Sequence, residues 1–420
     1  MSENHPANGT RITQVTEHFF RQEGARLVAT LTAHLGTHQL QLAEDVVQEA
    51  LVRALQIWPY RGVPDNPAAW LTQTAKNLAL DHLRREQRWN TKQDSIAAEH
   101  ERWLSTPVNE MHDTFADDTL RMMFVCFHPQ LSIEAQLALA LRTVCGLSPA
   151  EIGAAFLTSE AAIAKRLVRA RQLIRDLRLP FAVPDASELP QRLDGVLAAL
   201  YLLFNEGYKA SSGDRLIREE LCHEAIRLTR LLGTHPATTQ PTTKALLALM
   251  CLNAARLRAR VNPAGEIVRL HHQDRSQWDA RLIEEGILAL GAASMGEMVS
   301  PYHLEAGIAA CHCLAEDEAH TDWPRILSLY DQLLLLKPTP IVAMNRSVAL
   351  ARVQGPREAL EALESIPNRH SLEAQHLYHA IRASFIAKLG HPAEARAAYQ
   401  RAAELAQCDA EREFLQNQAR

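Results

Sequence analysis

Apolar residues recur along this chain at intervals of three and four, the spacing that lines one face of an α-helix, and alternating runs are scarce. Residues 11–35 and 39–58 each read as such a helix. The segment Trp58–Pro67 (WPYRGVPDNP) holds three prolines and reads as a loop. Asn66 then caps a helix with Pro67 at its first position, running through Trp70 to about Arg88. The periodicity fades over 90–118, where Glu99, Glu101, Glu110, Asp113, Asp117 and Asp118 suggest an acidic tether. Helices resume near Thr119 and continue to Leu177, where LPFAVP (Leu179–Pro184) ends the block. From Ser187 onward the pattern is helical again, broken at 233–242, 261–265, 300–301, 337–340 and 367–371. The expected fold is all-α.

Residues 119–178 carry the sharpest local signal. Ser132–Arg142 reads as a helix that Gly146 ends. Ser148-Pro149-Ala150-Glu151 is a capping box opening a short helix to Phe156. Leu157-Thr158 makes a tight turn, and Ser159 caps a longer helix to about Arg175. Two helices across a short turn, the second basic, have helix-turn-helix geometry. Ile163, Leu167, Ala170 and Ile174 form the apolar face of the second helix. Lys165, Arg166, Arg169, Arg171 and Arg175 lie off that face, suited to phosphates and base edges. A solvated basic face on a bundle helix is the plainer alternative.

In the first block, Val46, Val47, Ala50, Leu51, Ala54 and Leu55 form the inner face of a helix. Asp45, Gln48 and Glu49 project outward as a surface for a protein partner. The next helix has an apolar stripe from Leu71 to Leu83 and presents Lys76, Asn77, Asp81, His82, Arg84, Arg85 and Arg88. Trp58, Tyr60 and Trp70 lie on or beside the preceding loop. Cationic groups beside aromatic rings suit opened DNA, where phosphates are neutralised and an unstacked base is held. Core tryptophans next to a solvated charged face would look the same.

Toward the C-terminus, Pro340–Leu363 and His376–Tyr399 superpose at an offset of 36, matching Arg346 with Arg382, Pro356 with Pro392, Glu358 with Glu394 and Ala359 with Ala395. Each unit is helix, short Gly/Pro turn, helix, close to the tetratricopeptide length of ~34 residues. Ordinary helical hairpins are the alternative.

Composition narrows the class. A 420-residue chain with 47% hydrophobic and 22% charged residues has core enough for several folded domains and is not globally disordered. Its net charge of −5 excludes a simple DNA-coating protein, so any DNA contact rests on local patches. The seven cysteines form no CxxC pair and fit a reducing cytoplasm. Leu197–Phe204, the longest apolar run, is too short to span a bilayer, so no membrane partner is expected.

The order of pieces matters more than any one of them. AEDVVQEALVRAL, then NPAAWLTQTAKNLALDHLRRE, an acidic linker, and LSPAEIGAAFLTSEAAIAKRLVRARQLIRD together resemble an extracytoplasmic-function (ECF) sigma-70 factor. FHPQLSIEAQLALALRTVCGL, LPFAVP, YLLFNEGY (Tyr201–Tyr208), HHQDRSQWD (His271–Asp279) and HTDWPRILSLYDQLL resemble the subgroup with a tetratricopeptide-like C-terminal extension. The resemblance implies two small helical sigma domains, a region 2-like one at 11–90 and a region 4-like helix-turn-helix at 119–180. A linker at 91–118 joins them, and a helical extension at 187–300 and TPR-like repeats at 301–420 follow. It implies binding to the β′ clamp and β flap of core RNA polymerase, the former through Glu44, Asp45, Gln48 and Glu49. It places −10 promoter DNA on Trp70, Lys76, Asn77, His82, Arg84, Arg85 and Arg88. The −35 element falls to Ser159, Ala161, Lys165, Arg166, Arg169 and Arg171. Regulation is expected from the extension, with Asn205, Glu206 and Tyr208 as a docking site and small DGPF-type proteins as candidate partners. One departure is that Thr158-Ser159-Glu160-Ala161 stands where many related readers have a glycine.

Nothing in the chain points to catalysis. P-loop, GxSxG and HExxH patterns are missing, and no cofactor is expected. His271-His272 and Cys311-His312-Cys313 are poor metal sites, because adjacent helical residues point about 100° apart. A free-standing helix-turn-helix regulator with a sensing repeat domain is the competing reading, and it needs neither the second basic helix nor the acidic partner face.

Overall fold

The computed structural model describes residues 6–89, 114–156, 158–209, 217–262, 267–406 and 409–419. Most of the expected tether therefore lies outside the described residues. These form helices joined by short turns, with one isolated antiparallel bridge, Val261 to Ile267. The chain divides into two compact units, Met1–Val196 and Leu197–Arg420.

The first unit contains α1 (Pro6–Leu35), α2 (Leu40–Arg61), α3 (Pro67–Trp89), α4 (Thr114–Cys126), α5 (Ile133–Thr143), α6 (Pro149–Ala155) and α7 (Glu160–Leu177). The division falls within α8 (Leu189–Tyr208). Leu27, Leu31, Val46, Val47, Leu71 and Leu78 pack α1–α3 together, each stabilising the unit by about 1.5–3 kcal/mol on burial. The helix expected to end at Trp58 runs three residues further. Pro59 sits in its last turn, where its missing N–H removes a single bond, and Gly62 (φ 82°) ends the helix by donating to Trp58 O at 3.0 Å. Asn66 caps α3, its Oδ1 accepting the Ala69 N–H at 3.0 Å.

The two sigma-like blocks are not separate bodies. α4 packs along α1, and the turn Thr37–Gln39 packs on α7. Thr37 Oγ1 donates to Leu179 O at 2.6 Å, and Arg21 pairs with Glu151 at 2.7 Å. Gly146 (φ 69°) is pressed against the backbone of Arg21, where an added Cβ would lie 2.9 Å from its carbonyl oxygen. Only glycine tolerates both that backbone conformation and that approach.

The second unit continues with α9 (Glu219–Thr234), α10 (Pro241–Ala254), α11 (Ala280–Ala293), α12 (Pro301–Leu314), α13 (Trp323–Leu336), α14 (Pro340–Val353), α15 (Pro356–Glu364), α16 (His370–Glu373), α17 (His376–Lys388), α18 (Pro392–Leu405) and α19 (Asp409–Gln418). Neighbouring helices pack in sequence, and α12 packs on α10 as well as on α13. The repeat register is kept: α14 and α15 open at Pro340 and Pro356, α17 and α18 at His376 and Pro392. The matched arginines do the same work, Arg346 binding Asp331 at 2.6 Å and Arg382 binding Glu364 at 2.9 Å, each on an earlier helix. Ala359, Ala395 and Ala402 are buried and let the helices approach closely. No described helix is long and apolar enough to cross a membrane.

Candidate functional site

The helix-turn-helix is built from local bonds. Ser148 Oγ accepts the Glu151 N–H at 3.2 Å, and Glu151 Oε2 accepts the Ser148 N–H at 2.7 Å, closing the capping box of α6. In the turn, the Thr158 N–H donates to Gly153 O at 2.9 Å. A Cβ on Gly153 would stand 2.8 Å from Thr158 O. The close approach of turn to helix thus uses a glycine in α6 rather than one at the start of α7. Ser159 Oγ accepts the Ala162 N–H at 3.2 Å, opening α7. Ile163, Leu167, Ala170 and Ile174 are buried as their spacing predicts. Ser159, Ala161, Lys165 and Arg169 are exposed at the N-terminal half of α7, and Arg166 is half-exposed.

Arg171 departs from its expected place on the DNA face. It lies four residues after Leu167, which lies four after Ile163, so the helix carries it inward along that row. Its Nη2 stands 2.6 Å from Glu44 Oε2 on α2. Glu44 is corrected with it: at 5% exposure it cannot meet a protein partner in this state. Burial pushes the Glu44 carboxyl above its usual range, against the lowering pull of Arg171 and Arg142. Arg171 lowers the carboxyl pKa through its charge first and hydrogen bonding second, and Arg171 Nε is left without a partner among the described residues. The other residues of that face lie outward. Asp45 and Gln48 are exposed, and Glu49 is half-exposed and paired with Arg53 at 2.7 Å. Val52 and Leu55 are exposed one to two turns on, giving the face an apolar end. Gln48 also borders a cavity of about 440 Å³ walled by Arg21, Leu51, Leu55 and Arg142.

On α3, Asn77, His82, Arg84 and Arg85 lie on the exposed side, and Asn77 Oδ1 accepts from Gln73 Nε2 at 3.0 Å. The Arg88 side chain lies outside the described residues. Lys76 is the third correction. It follows buried Thr72 by one turn and is itself 1% exposed, with burial lowering its pKa, so it is core in this state and not a DNA contact. Trp70 is half-buried with its ring edge-on to Trp58 at 5.5 Å, and Trp58 meets Phe20 at 5.4 Å. This aromatic column ties the start of α3 to α1 and α2. Tyr60, by contrast, is 90% exposed.

The three residues expected to dock a regulator are engaged inside the second unit. Tyr208 stacks on Phe204, and its hydroxyl accepts from Arg256 at 3.0 Å. Arg260 lies 3.7 Å from the Tyr208 ring centre and donates to its carbonyl. Glu206 stands 3.8 Å from Arg218, while Asn205 bonds the Tyr201 side chain. Gly207 lets this turn touch α9, since a Cβ there would lie 2.7 Å from Cys222 N. Among the described residues no group of three His, Cys, Asp or Glu side chains is placed to hold a metal.

The clasp between Glu44 and Arg171 was missed in the sequence. Half of it was legible, because Glu44 falls on the row of Leu40, Val47 and Leu51; its partner, far along the chain, was not.

Residues 19–89 match sigma-70 region 2, and residues 121–174 match sigma-70 region 4. A three-helix block with exposed basic α3, followed by a helix-turn-helix with exposed basic α7, is the architecture these two matches describe. The chain carries sigma-70 region 2 and region 4 domains at ECF-type spacing, the domain pair of sigma factors that initiate transcription. It carries a helical C-terminal extension, of which residues 192–294 match a family of unknown function, DUF6596. An uncharacterized protein of Rhizobium meliloti (strain 1021) is 40% identical over 384 residues, covering 90% of this chain and 89% of its own. The probable ECF RNA polymerase sigma factor SigI of Mycobacterium tuberculosis is 29% identical over 147 residues, 34% of this chain and 50% of its own. No solved structure matches the chain.

Proposed function

We propose that this sigma factor grips core polymerase through the Asp45, Gln48 and Glu49 face of α2. In this reading it opens the −10 element with Asn77, His82, Arg84 and Arg85, and reads −35 DNA with Ser159, Ala161, Lys165, Arg166 and Arg169. The observation that carries the reading is the separation of roles by burial: the apolar rows of α3 and α7 face inward while these polar groups face water. The −10 and −35 elements are separate stretches of duplex, each base pair adding about 3.4 Å along the axis. α7 is clasped directly to α2, and a helix is only ~10–12 Å across. The clasped unit is therefore a resting state, and polymerase must part Arg171 from Glu44 before both elements are engaged.

The extension controls that step, with small DGPF-type proteins as candidate partners. Run-off transcription with core polymerase on a promoter library tests the whole reading. A chain that neither joins core enzyme nor starts RNA at defined sites would end it. Deleting residues from about 190 onward is expected to alter output across promoters; unchanged output would remove the regulatory role.

A further inference from the structure

A half-open cavity of about 260 Å³ lies inside the second unit, between the Leu270–Trp278 strap and α12–α14. Its lining mixes apolar and aromatic side chains (Leu270, Trp323, Ile326, Tyr330) with polar ones (Arg275, His312, Asn345, Arg352). The two arginines are held in place. Arg275 donates to His312 O at 2.7 Å and to Ala315 O at 2.6 Å, and lies 4.6 Å from the Trp278 ring centre. Arg352 pairs with Glu318 and lies 5.2 Å from the Trp323 ring centre. His312 stands edge-on to Trp323 at 5.4 Å.

The charges do not balance. Glu318 is the single carboxylate on the cavity wall, and Arg352 uses it. Half-buried Arg275 bonds carbonyls alone, and no described carboxylate lies within ion-pair distance of it. Arg256, close behind, is buried and bonds only the Tyr208 hydroxyl and Asn253 Oδ1. The surplus is felt by its neighbours. Burial, then Arg256 and Arg275, push the His312 pKa down to about 4, leaving that ring neutral near pH 7. Burial, then Arg352, lower Lys388, with Glu318 pulling the other way and Arg269 adding to the lowering. Groups taken from water normally find a counter-charge. Here the protein supplies one carboxylate for two arginines, the carbonyls at the C-terminal end of α12 offsetting Arg275 only in part, and an open cavity lies beside them.

We infer that this cavity binds a small organic anion with a flat apolar body, its charge set toward Arg275 and Asn345 and its body against Trp323 and Tyr330. The volume is below that of drug-sized pockets and suits a single-ring molecule. Such a site would make the extension a receptor for a metabolite, which goes beyond the regulatory reading and does not depend on it.

Benzoate and its neutral counterpart benzyl alcohol, titrated into the full-length protein by calorimetry and saturation-transfer NMR, test this without any transcription step. Benzoate is expected to bind saturably with a dissociation constant of about 1 mM or tighter, and benzyl alcohol at least ~10-fold more weakly. Asn345→Asp adds a negative charge at nearly constant volume and should weaken benzoate at least ~10-fold with thermal stability retained or raised, since it supplies a counter-charge to the arginines. Arg275→Gln should do the same, but it also loosens the strap, so the aspartate variant decides. No saturable benzoate binding, equal binding of the alcohol, or full binding by Asn345→Asp would each overturn the site. Because the readout is binding alone, a failed site leaves the sigma-factor reading untouched, and failed transcription leaves the site untouched.

Discussion

Replacing Arg171 with leucine is expected to destabilise the first unit, and replacing Glu44 with leucine as well is expected to restore it. Arg171 and Glu44 meet at 2.6 Å with 13% and 6% of their side chains exposed. Alone, Arg171→Leu leaves a carboxylate buried beside leucine and valine side chains without its cation. Breaking one half of a buried pair costs about 3–5 kcal/mol, whereas replacing both halves by apolar side chains is often neutral or stabilising by about 1–4 kcal/mol. The low end applies to the single variant, since Arg142 remains near Glu44. About 3 kcal/mol in a unit of this size is a fall of roughly 6–12 °C in its melting temperature. The unpartnered Arg171 Nε and the burial cost carried by Glu44 favour a double variant at least as stable as the parent.

The pH dependence carries the same sign. Glu44 already has a folded-state pKa above its unfolded value, so the folded form holds that proton more tightly. Without Arg171 the gap widens, and the single variant should regain stability as pH falls from neutral toward the ordinary carboxylate range of about 4.3. Differential scanning calorimetry of the full chain, parent against single and double variants, reads all of this. A single variant that melts with the parent, or a double variant no more stable than the single, would refute the argument that the clasp is a charge pair taken from water.

Other outcomes follow from the same geometry. Arg166→Ala and Arg169→Ala should each reduce promoter-specific transcription, by about 1–3 kcal/mol of binding where a base edge is read, with core polymerase still retained in pull-down; loss of polymerase binding would contradict their assignment. Gly146→Ala should cost about 1–2 kcal/mol for the positive-φ backbone and more for the collision with Arg21, whereas Gly62→Ala, at φ 82° and ψ 159° with nothing within 4 Å of the new methyl, should cost only backbone strain of about 1–3 kcal/mol. Equal losses in denaturant titration would mean that Gly146 is not a packing contact. Glu411 works in the opposite sense to Glu44. Burial raises its pKa, but His376 and Lys209 outweigh this and hold it at about 2. Its contribution, about 3 kcal/mol, is present above the unfolded carboxylate value and disappears as pH falls from about 4.5 toward 2, and Glu411→Gln should flatten the stability profile over that interval.

Periodicity and punctuation alone determined much of this protein. The caps at Asn66, Ser148 and Ser159, the buried row of α7 and the register of the C-terminal repeat follow from bonds between residues a few positions apart. Such bonds form wherever the local pattern occurs, so the pattern is enough to read them. The same logic separated most of the polar face of α7 from its apolar face. It failed at Glu44, Lys76 and Arg171, charged residues on inward rows that charge alone would send to the surface. Whether such a group is tolerated depends on a partner or covering surface supplied from elsewhere in the chain, and for Glu44 that partner is 127 positions away. The same holds for the packing of α1 on α4, for Gly146 against Arg21, and for Arg275 reaching the last carbonyls of α12. Each is a meeting of distant segments, decided by how helices fill space together.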